Sequence, residues 1–414
     1  MTSEVQQTGR FAPHPDPLSL KLAIVAPTQA PYRLAFHRRI VRELPSVQLH
    51  SIYTHRQGLS PWAYRDDAET NCIDFSGGDD AALRSDPRHA LRNLSRGGRI
   101  IRYLDDHAID AVMVVGYNDP GMLRIIRHNA RIGRPQFLWG DSNAAADHAR
   151  HLKLAVKRRL VGWVLSKCDA VLVCGTLGAE FFTRYGADPR RIFRCPIEPD
   201  YSLIEEIGEP DLRKIRERFG LRADRRRFVF CGRLVGRKRA DLVIDAFNRA
   251  APRLPDWDLV MVGDGPLRAE LEARVDPSLR DRVVWTGFLD DQPAISAIYR
   301  ASHVLLHPCD FEPWGLIILE AAAAGMGIIT TSACGAGREL VRPDRNGALL
   351  EPGDLVGLAR AMTSCGDAGV CAQWQRESRA ALADFRRGSD SVRGLREALD
   401  ACLASRPRPA SATR

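Results

Sequence analysis

The chain has 414 residues, 45% hydrophobic and 27% charged, the make-up of a soluble globular protein long enough for two domains of roughly 200 residues each. Its formal net charge of +9 would suit nucleic acid, anionic lipid or a phosphorylated substrate, but no aromatic-interleaved basic stripe or zinc module supports the first. Residues 1–19 are polar, contain proline and lack an apolar segment, so no signal peptide is read and a cytoplasmic protein is expected.

Short apolar runs alternate with amphipathic, charge-studded stretches almost throughout. Strands are predicted at residues 22–27, 47–54, 111–116, 136–140, 170–175 and 191–195. Prolines cluster at 196–201, the predicted hinge, and a helix over 211–219 opens the second half. Strands follow at 228–234, 259–263, 283–289, 303–307, 327–331 and 348–350. This alternation specifies an α/β protein with two doubly wound parallel sheets. It divides the chain into an N-terminal domain of residues 20–198, a C-terminal domain of 199–385 and a closing stretch, 386–405, with its helix over 391–405. The tails, 1–19 and 406–414, are expected to be disordered.

Residues 151–167 are basic and amphipathic. Either they rest on an anionic bilayer, or they bury Leu, Val and Trp as a domain helix and leave their cations solvated. Residues 316–334 are apolar enough for a membrane span, but Glu320, Gly325 and Gly327 interrupt them, so a buried helix and strand are expected. None of the ten cysteines forms a Cys-x-x-Cys pair, which predicts free buried thiols without metal or disulfide roles.

The most informative stretch runs Phe311-Glu312-Pro313-Trp314-Gly315-Leu316-Ile317-Ile318-Leu319-Glu320. Pro313 disfavours helix at Glu312, and Gly315 can open a tightly packed helix. Glu312 is thus expected on the incoming loop and Glu320 within the helix, whose first N–H groups form an anion site. Taken as helical steps, the separation is ~12 Å, enough to bracket a diphosphate between two sugars. The predicted strands on either side complete a βαβ unit.

A second element is Cys231-Gly232-Arg233-Leu234, ending a buried strand, with Lys238 ahead of a helix over 240–250. At the carboxyl end of such a strand two cations can neutralise a diphosphate leaving group. A solvated basic turn is the alternative, since Arg237 and Arg239 lie alongside. The third, Gly263-Asp264-Gly265 before a helix over 267–274, reads equally well as a plain strand-to-helix turn.

In order and spacing, these elements over residues 228–354 resemble the retaining glycosyltransferases of the GT-B fold, particularly the large family 4, the group 1 glycosyltransferases. The resemblance implies two Rossmann-like doubly wound domains facing across a cleft. It also implies transfer of a sugar from a nucleoside-diphosphate-sugar donor to a hydroxyl acceptor with retention, needing no cofactor beyond that donor. No metal is expected, for the chain offers no Asp-x-Asp or His cluster with convincing ligand spacing. Carried over residue by residue, Glu312 contacts the donor sugar, Glu320 the ribose hydroxyls, and Arg233 and Lys238 the diphosphate. The backbone of Trp314, Gly315, Leu316 and Ile317 holds sugar and phosphate, Phe288 and Leu289 meet the base, and Gly263 belongs to the same donor wall. Asp141 stands where several members carry a histidine near the reacting sugar, and either bonds a sugar hydroxyl or caps the next helix. Tyr117, Asn118 and Asp119 are expected on the acceptor side, and the last helix is expected to cross back to the first domain.

Two alternatives remain: a sugar-nucleotide epimerase of the same architecture, or a non-catalytic sugar-nucleotide-binding subunit. The intact set Glu312, Glu320, Arg233 and Lys238 argues against the second. Base, sugar and acceptor are not legible.

Overall fold

Strands in this protein are short and almost fully apolar, as parallel strands covered on both faces must be. The computed structural model describes residues 20–56, 64, 66–77, 87–147 and 151–404. Both predicted tails lie outside them. The N-terminal strands are β1 (Leu20–Ala26), β2 (Val47–Tyr53), β3 (Cys72–Asp74), β4 (Ala111–Val115), β5 (Gln136–Gly140), β6 (Ala170–Val173) and β7 (Ile192–Arg194). The C-terminal strands are β8 (Arg226–Cys231), β9 (Trp257–Val262), β10 (Val283–Gly287), β11 (Val304–His307), β12 (Gly327–Thr331) and β13 (Gly347–Leu350). They form two parallel sheets, ordered β3-β2-β1-β4-β5-β6-β7 and β10-β9-β8-β11-β12-β13.

Each sheet reverses its strand order once, between β1 and β4 and between β8 and β11. In open α/β sheets such switch points leave a crevice at the carboxyl ends of the strands. Here both crevices open onto one cleft of about 760 Å³, lined by Gln29 and Ala30 after β1 and by Cys231, Tyr299 and Glu320 from the other domain.

Local chemistry sets the helices between strands. Asp119 caps Pro120–Ile132, accepting from the N–H groups of Gly121 and Met122, and Gly133 ends it at φ +73°. Asp119 is therefore committed to that cap, and Tyr117 is buried beside Asp141. The apolar stretch after Gly315 divides into a buried helix, Leu316–Ala324, and β12, as expected. Among the described residues no helix is long and apolar enough to cross a membrane. All ten cysteines are free thiols, eight of them buried.

The last helix, Ser391–Ala404, packs on β6, β7 and the helix Pro31–Glu43 of the first domain. Glu198 ties it down, accepting from Arg39 and from the N–H and hydroxyl of Ser391. The approach is close: a Cβ at Gly394 would lie 1.7 Å from the Arg194 carbonyl oxygen.

Candidate active site

The loop between β11 and the helix Leu316–Ala324 carries Glu312, and the helix carries Glu320. Gly315 opens the helix at φ +90°, where a side chain would also press on Cys334 Sγ at 2.7 Å. The helix begins only at Leu316. The helical rise to Glu320 is therefore ~6 Å, half the value that eight helical steps would give. The first N–H groups of the helix have no intrahelical acceptor and form an anion-binding end.

Glu312 is gripped by cations. Lys238 Nζ bonds its Oε2, with Arg237 Nη1 at 3.3 Å and His307 Nε2 at 3.7 Å. Burial pushes the Glu312 carboxyl up, but His307 and Lys238 outweigh it and hold the group well below the usual carboxylate range. Glu320 is the reverse case. Among the described residues it has no cation and accepts from Tyr299 Oη at 3.2 Å and Gln292 Nε2 at 3.3 Å, and burial raises its pKa to about 7. The two glutamates thus differ in charge as well as place.

The adjoining wall is made of strand ends. Gly232, Gly263 and Gly287 sit at φ +153°, +124° and +70° after β8, after β9 and at the end of β10. Gly263 donates its N–H to the Gly287 carbonyl, and a Cβ on Gly263 would fall 2.1 Å from Gly232 O. Its part is steric, since its donor is already used. Arg233 projects from this wall, exposed and without a hydrogen-bond or ion-pair partner among the described residues. Arg239 pairs with Asp241 and Asp310, so only part of the basic turn is available to a ligand. Phe288 is 50% exposed while Leu289 is buried, leaving that loop a free aromatic face and an anchored neighbour.

The N-terminal domain closes the cleft from the other side. Asp141 is open to solvent, yet the protein crowds it. Desolvation raises its pKa, Arg33 opposes and Glu312 adds to the rise, so the carboxylates feel each other across the domain boundary. Asp141 does not cap the next turn. Asn143 does, accepting from Ala145 N at 2.7 Å. The same buried Asn143 reaches across with its amide nitrogen to the carbonyls of Glu312, Pro313 and Ala333 at 3.0, 3.3 and 3.3 Å. Trp314 Nε1 donates to Ile197 O at 2.7 Å in the hinge, and Glu339 accepts from Thr176 N and Arg194. The loop bearing Glu312 is therefore wired to the opposite domain. Sequence reasoning missed the bridging roles of Asn143 and Glu339, because their partners lie more than 140 residues away.

A family model described as "Glycosyl transferases group 1" matches residues 225–367, which hold both glutamates and the cations. A GDP-mannose-dependent alpha-(1-6)-phosphatidylinositol monomannoside mannosyltransferase of Mycobacterium tuberculosis is 32% identical over 71% of this chain and 80% of its own. The chain belongs to the group 1 glycosyltransferases. An uncharacterized glycosyltransferase of Methanocaldococcus jannaschii is 25% identical over 54% of the chain, which spans only 55% of that relative. In three dimensions, Anabaena HepE, crystallised with UDP and glucose, superimposes with a TM-score of 0.69 at 18% identity, over 93% of this chain and all of that one. This likeness shows the GT-B fold for the transferase.

One more surface belongs to the N-terminal domain. The helix His151–Leu165 buries Val161, Val164 and Leu165 but exposes Leu152 (77%), Val156 (60%) and Leu160 in one stripe. Lys153, Arg158 and Arg159 are exposed beside it. Only its second half behaves as a domain helix.

Proposed function

We propose that this group 1 glycosyltransferase is a retaining, metal-independent family 4 enzyme that moves a hexosyl group from a nucleoside-diphosphate-sugar to a hydroxyl acceptor. The observation carrying this reading is that Lys238 pairs with Glu312 on the loop leading into the helix Leu316–Ala324, whose first residue and Glu320 line the cleft at the switch point of the second sheet. Lys238, the partnerless Arg233 and the first helical N–H groups, from Gly315 to Ile317, would neutralise the diphosphate as charge builds on it. Glu312, held ionised, would accept from the donor sugar hydroxyls, and ionised Glu320 from the ribose. Phe288 and Leu289 would border the base.

The acceptor would attack from the face the diphosphate leaves, passing its proton to the departing phosphate oxygen. The protein then contributes orientation and charge stabilisation rather than a covalent nucleophile. Asp141 would position the acceptor or the reacting sugar.

The test is thermal stabilisation by UDP, GDP, ADP and TDP, with the mannosyltransferase relative and HepE favouring the GDP and UDP arms. A rise with one diphosphate, lost in Lys238→Ala, is expected. No rise with any of the four would remove the donor site. With the donor identified, anomeric NMR of the product checks retention, and undiminished activity in chelator checks metal independence. Lys238→Ala should then lower kcat/KM on the order of 10²–10³-fold.

The exposed stripe of Leu152, Val156 and Leu160 among cations favours peripheral docking on an anionic bilayer. Flotation with phosphatidylglycerol vesicles should be lost in a Leu152→Ser/Val156→Ser variant and be absent with neutral vesicles. Equal flotation with both would remove this reading.

A further inference from the structure

His307, at the end of β11, is fully buried, and among the described residues neither ring nitrogen has a partner within ordinary hydrogen-bond distance. The other buried histidines of known environment are better served: His37 Nδ1 bonds Ser51 and His50 Nδ1 bonds Tyr103. A buried imidazole with no ordinary hydrogen bond at Nδ1, and only the Glu312 carboxylate at 3.7 Å from Nε2, calls for an explanation. Beside it lie Cys309, two residues further on, and Cys334, on the loop after β12. The three side chains place a nitrogen and two sulfurs within 4.8 Å of one another. The thiols make long polar contacts, Cys309 with Thr331 Oγ1 at 3.6 Å and Cys334 with Trp314 O at 3.4 Å.

Two sulfurs and an imidazole form the soft, buried donor set that suits zinc, whose tetrahedral bonds of roughly 2.0–2.3 Å would draw the three together by rotamer adjustment. The Glu312 carboxylate, 3.7 Å from His307 Nε2 but outside the group of three, would move in to take a fourth position. We propose that His307, Cys309 and Cys334 form a Zn²⁺ site, completed by Glu312, that restrains the donor-binding loop. Both thiols lose their protons to solvent on binding, and no electron transfer is involved. The consequence for transfer rests on the reading above. Zinc would draw Glu312 away from Lys238, leaving the loop unable to receive the sugar, so the ion inhibits and takes no part in the chemistry.

Sequence spacing could not reveal this site. His307 and Cys309 sit two apart on one strand end, and Cys334 arrives only because β12 pairs with β11.

Cobalt titration of the reduced full-length protein tests the site without reference to any donor. One Co²⁺ per chain should bind with thiolate-to-cobalt charge-transfer absorbance and tetrahedral visible bands, and one Zn²⁺ should displace it. Both signals should vanish in Cys309→Ser and Cys334→Ser and weaken in His307→Gln. Absence of the bands in the wild type would overturn the proposal, and so would their persistence in both cysteine variants. A Cys309–Cys334 disulfide found by mass spectrometry, with no cobalt binding after reduction, would also overturn it, in favour of a redox pair. The wild-type spectrum decides the matter even if a variant folds poorly, and a stabilising diphosphate beside a missing cobalt signal would sink the metal site alone.

Discussion

The two walls of the cleft follow one plan, parallel strand ends around a switch point, yet carry their chemistry in different ways. The C-terminal wall is dictated locally. Gly263 must be small because its backbone nearly touches that of Gly232, Lys238 follows the end of β8, and Glu312 and Glu320 lie on the loop and helix that follow β11. The N-terminal wall works at long range. Asn143 and Trp139 act through carbonyls far along the chain, the first across the domain boundary and the second on Cys195 O at 3.0 Å. One wall can be read from short motifs, while the other has meaning only in the assembled pair.

If backbone approach governs the C-terminal wall, Gly263→Ala should be severe. The Cβ would lie 2.1 Å from Gly232 O, and the atom in its way is backbone that cannot rotate aside. We expect a loss of about 2–3 kcal/mol and a melting temperature lower by roughly 5–10 °C. Gly133→Ala is the matched control, for it also has positive φ, +73°, but a Cβ added there would meet none of the described residues within 4 Å. It should cost about 1 kcal/mol, the strain of the left-handed backbone alone. Equal losses would show that φ, rather than close approach, keeps this wall glycine-rich.

The same contrast governs what was legible in the sequence. Buried strands announced themselves as apolar runs, and residues 136–140 and 327–331 match β5 and β12 end to end. β3 gave no signal because three half-buried residues, Cys72–Asp74, make neither a run nor an alternation. β8 begins two residues earlier than the pattern suggests. Arg227 reads as a surface residue, yet it is buried with its guanidinium on the carbonyls of Ala301 and Arg222 at 2.9 and 2.6 Å. Glu312 and Lys238 were each legible as donor-site groups. Their mutual ion pair was not, since 74 residues separate them.

A smaller effect separates the two glutamates of the C-terminal wall. Burial raises Glu320 in the folded state to about 7, above its unfolded value. Its contribution to stability is therefore fully present below the unfolded pKa and is lost as pH rises through 7. Donor binding should run the opposite way, because ribose hydroxyls donate to the ionised carboxylate. Affinity for a nucleotide-sugar, whose esterified phosphates stay ionised throughout, should tighten about tenfold between pH 6 and pH 8 and then level. Glu320→Gln should flatten both profiles and leave the wild type the tighter binder above pH 7. Calorimetry across that range checks it. A wild-type affinity independent of pH would mean that Glu320 is ionised before the donor arrives, or does not touch it.

The mildest change probes the N-terminal wall. Asn143→Ala removes the amide that serves the carbonyls of Glu312, Pro313 and Ala333, together with the cap on Ala145 N. Unsatisfied carbonyls should cost about 1 kcal/mol, and looser placement of Glu312 should lower kcat about fivefold. Because Asn143 belongs to the opposite domain from the donor site, diphosphate affinity should barely change. Asn143→Asp discriminates further, since it keeps the cap but turns a carboxylate toward three carbonyl oxygens. If Asn143 matters chiefly as a cap, Asp should behave like the wild type. If its work is the bridge between domains, Asp should be the worse of the two, with the loss confined to kcat. Steady-state kinetics of the pair therefore decides whether this wall acts through its own fold or through its neighbour's.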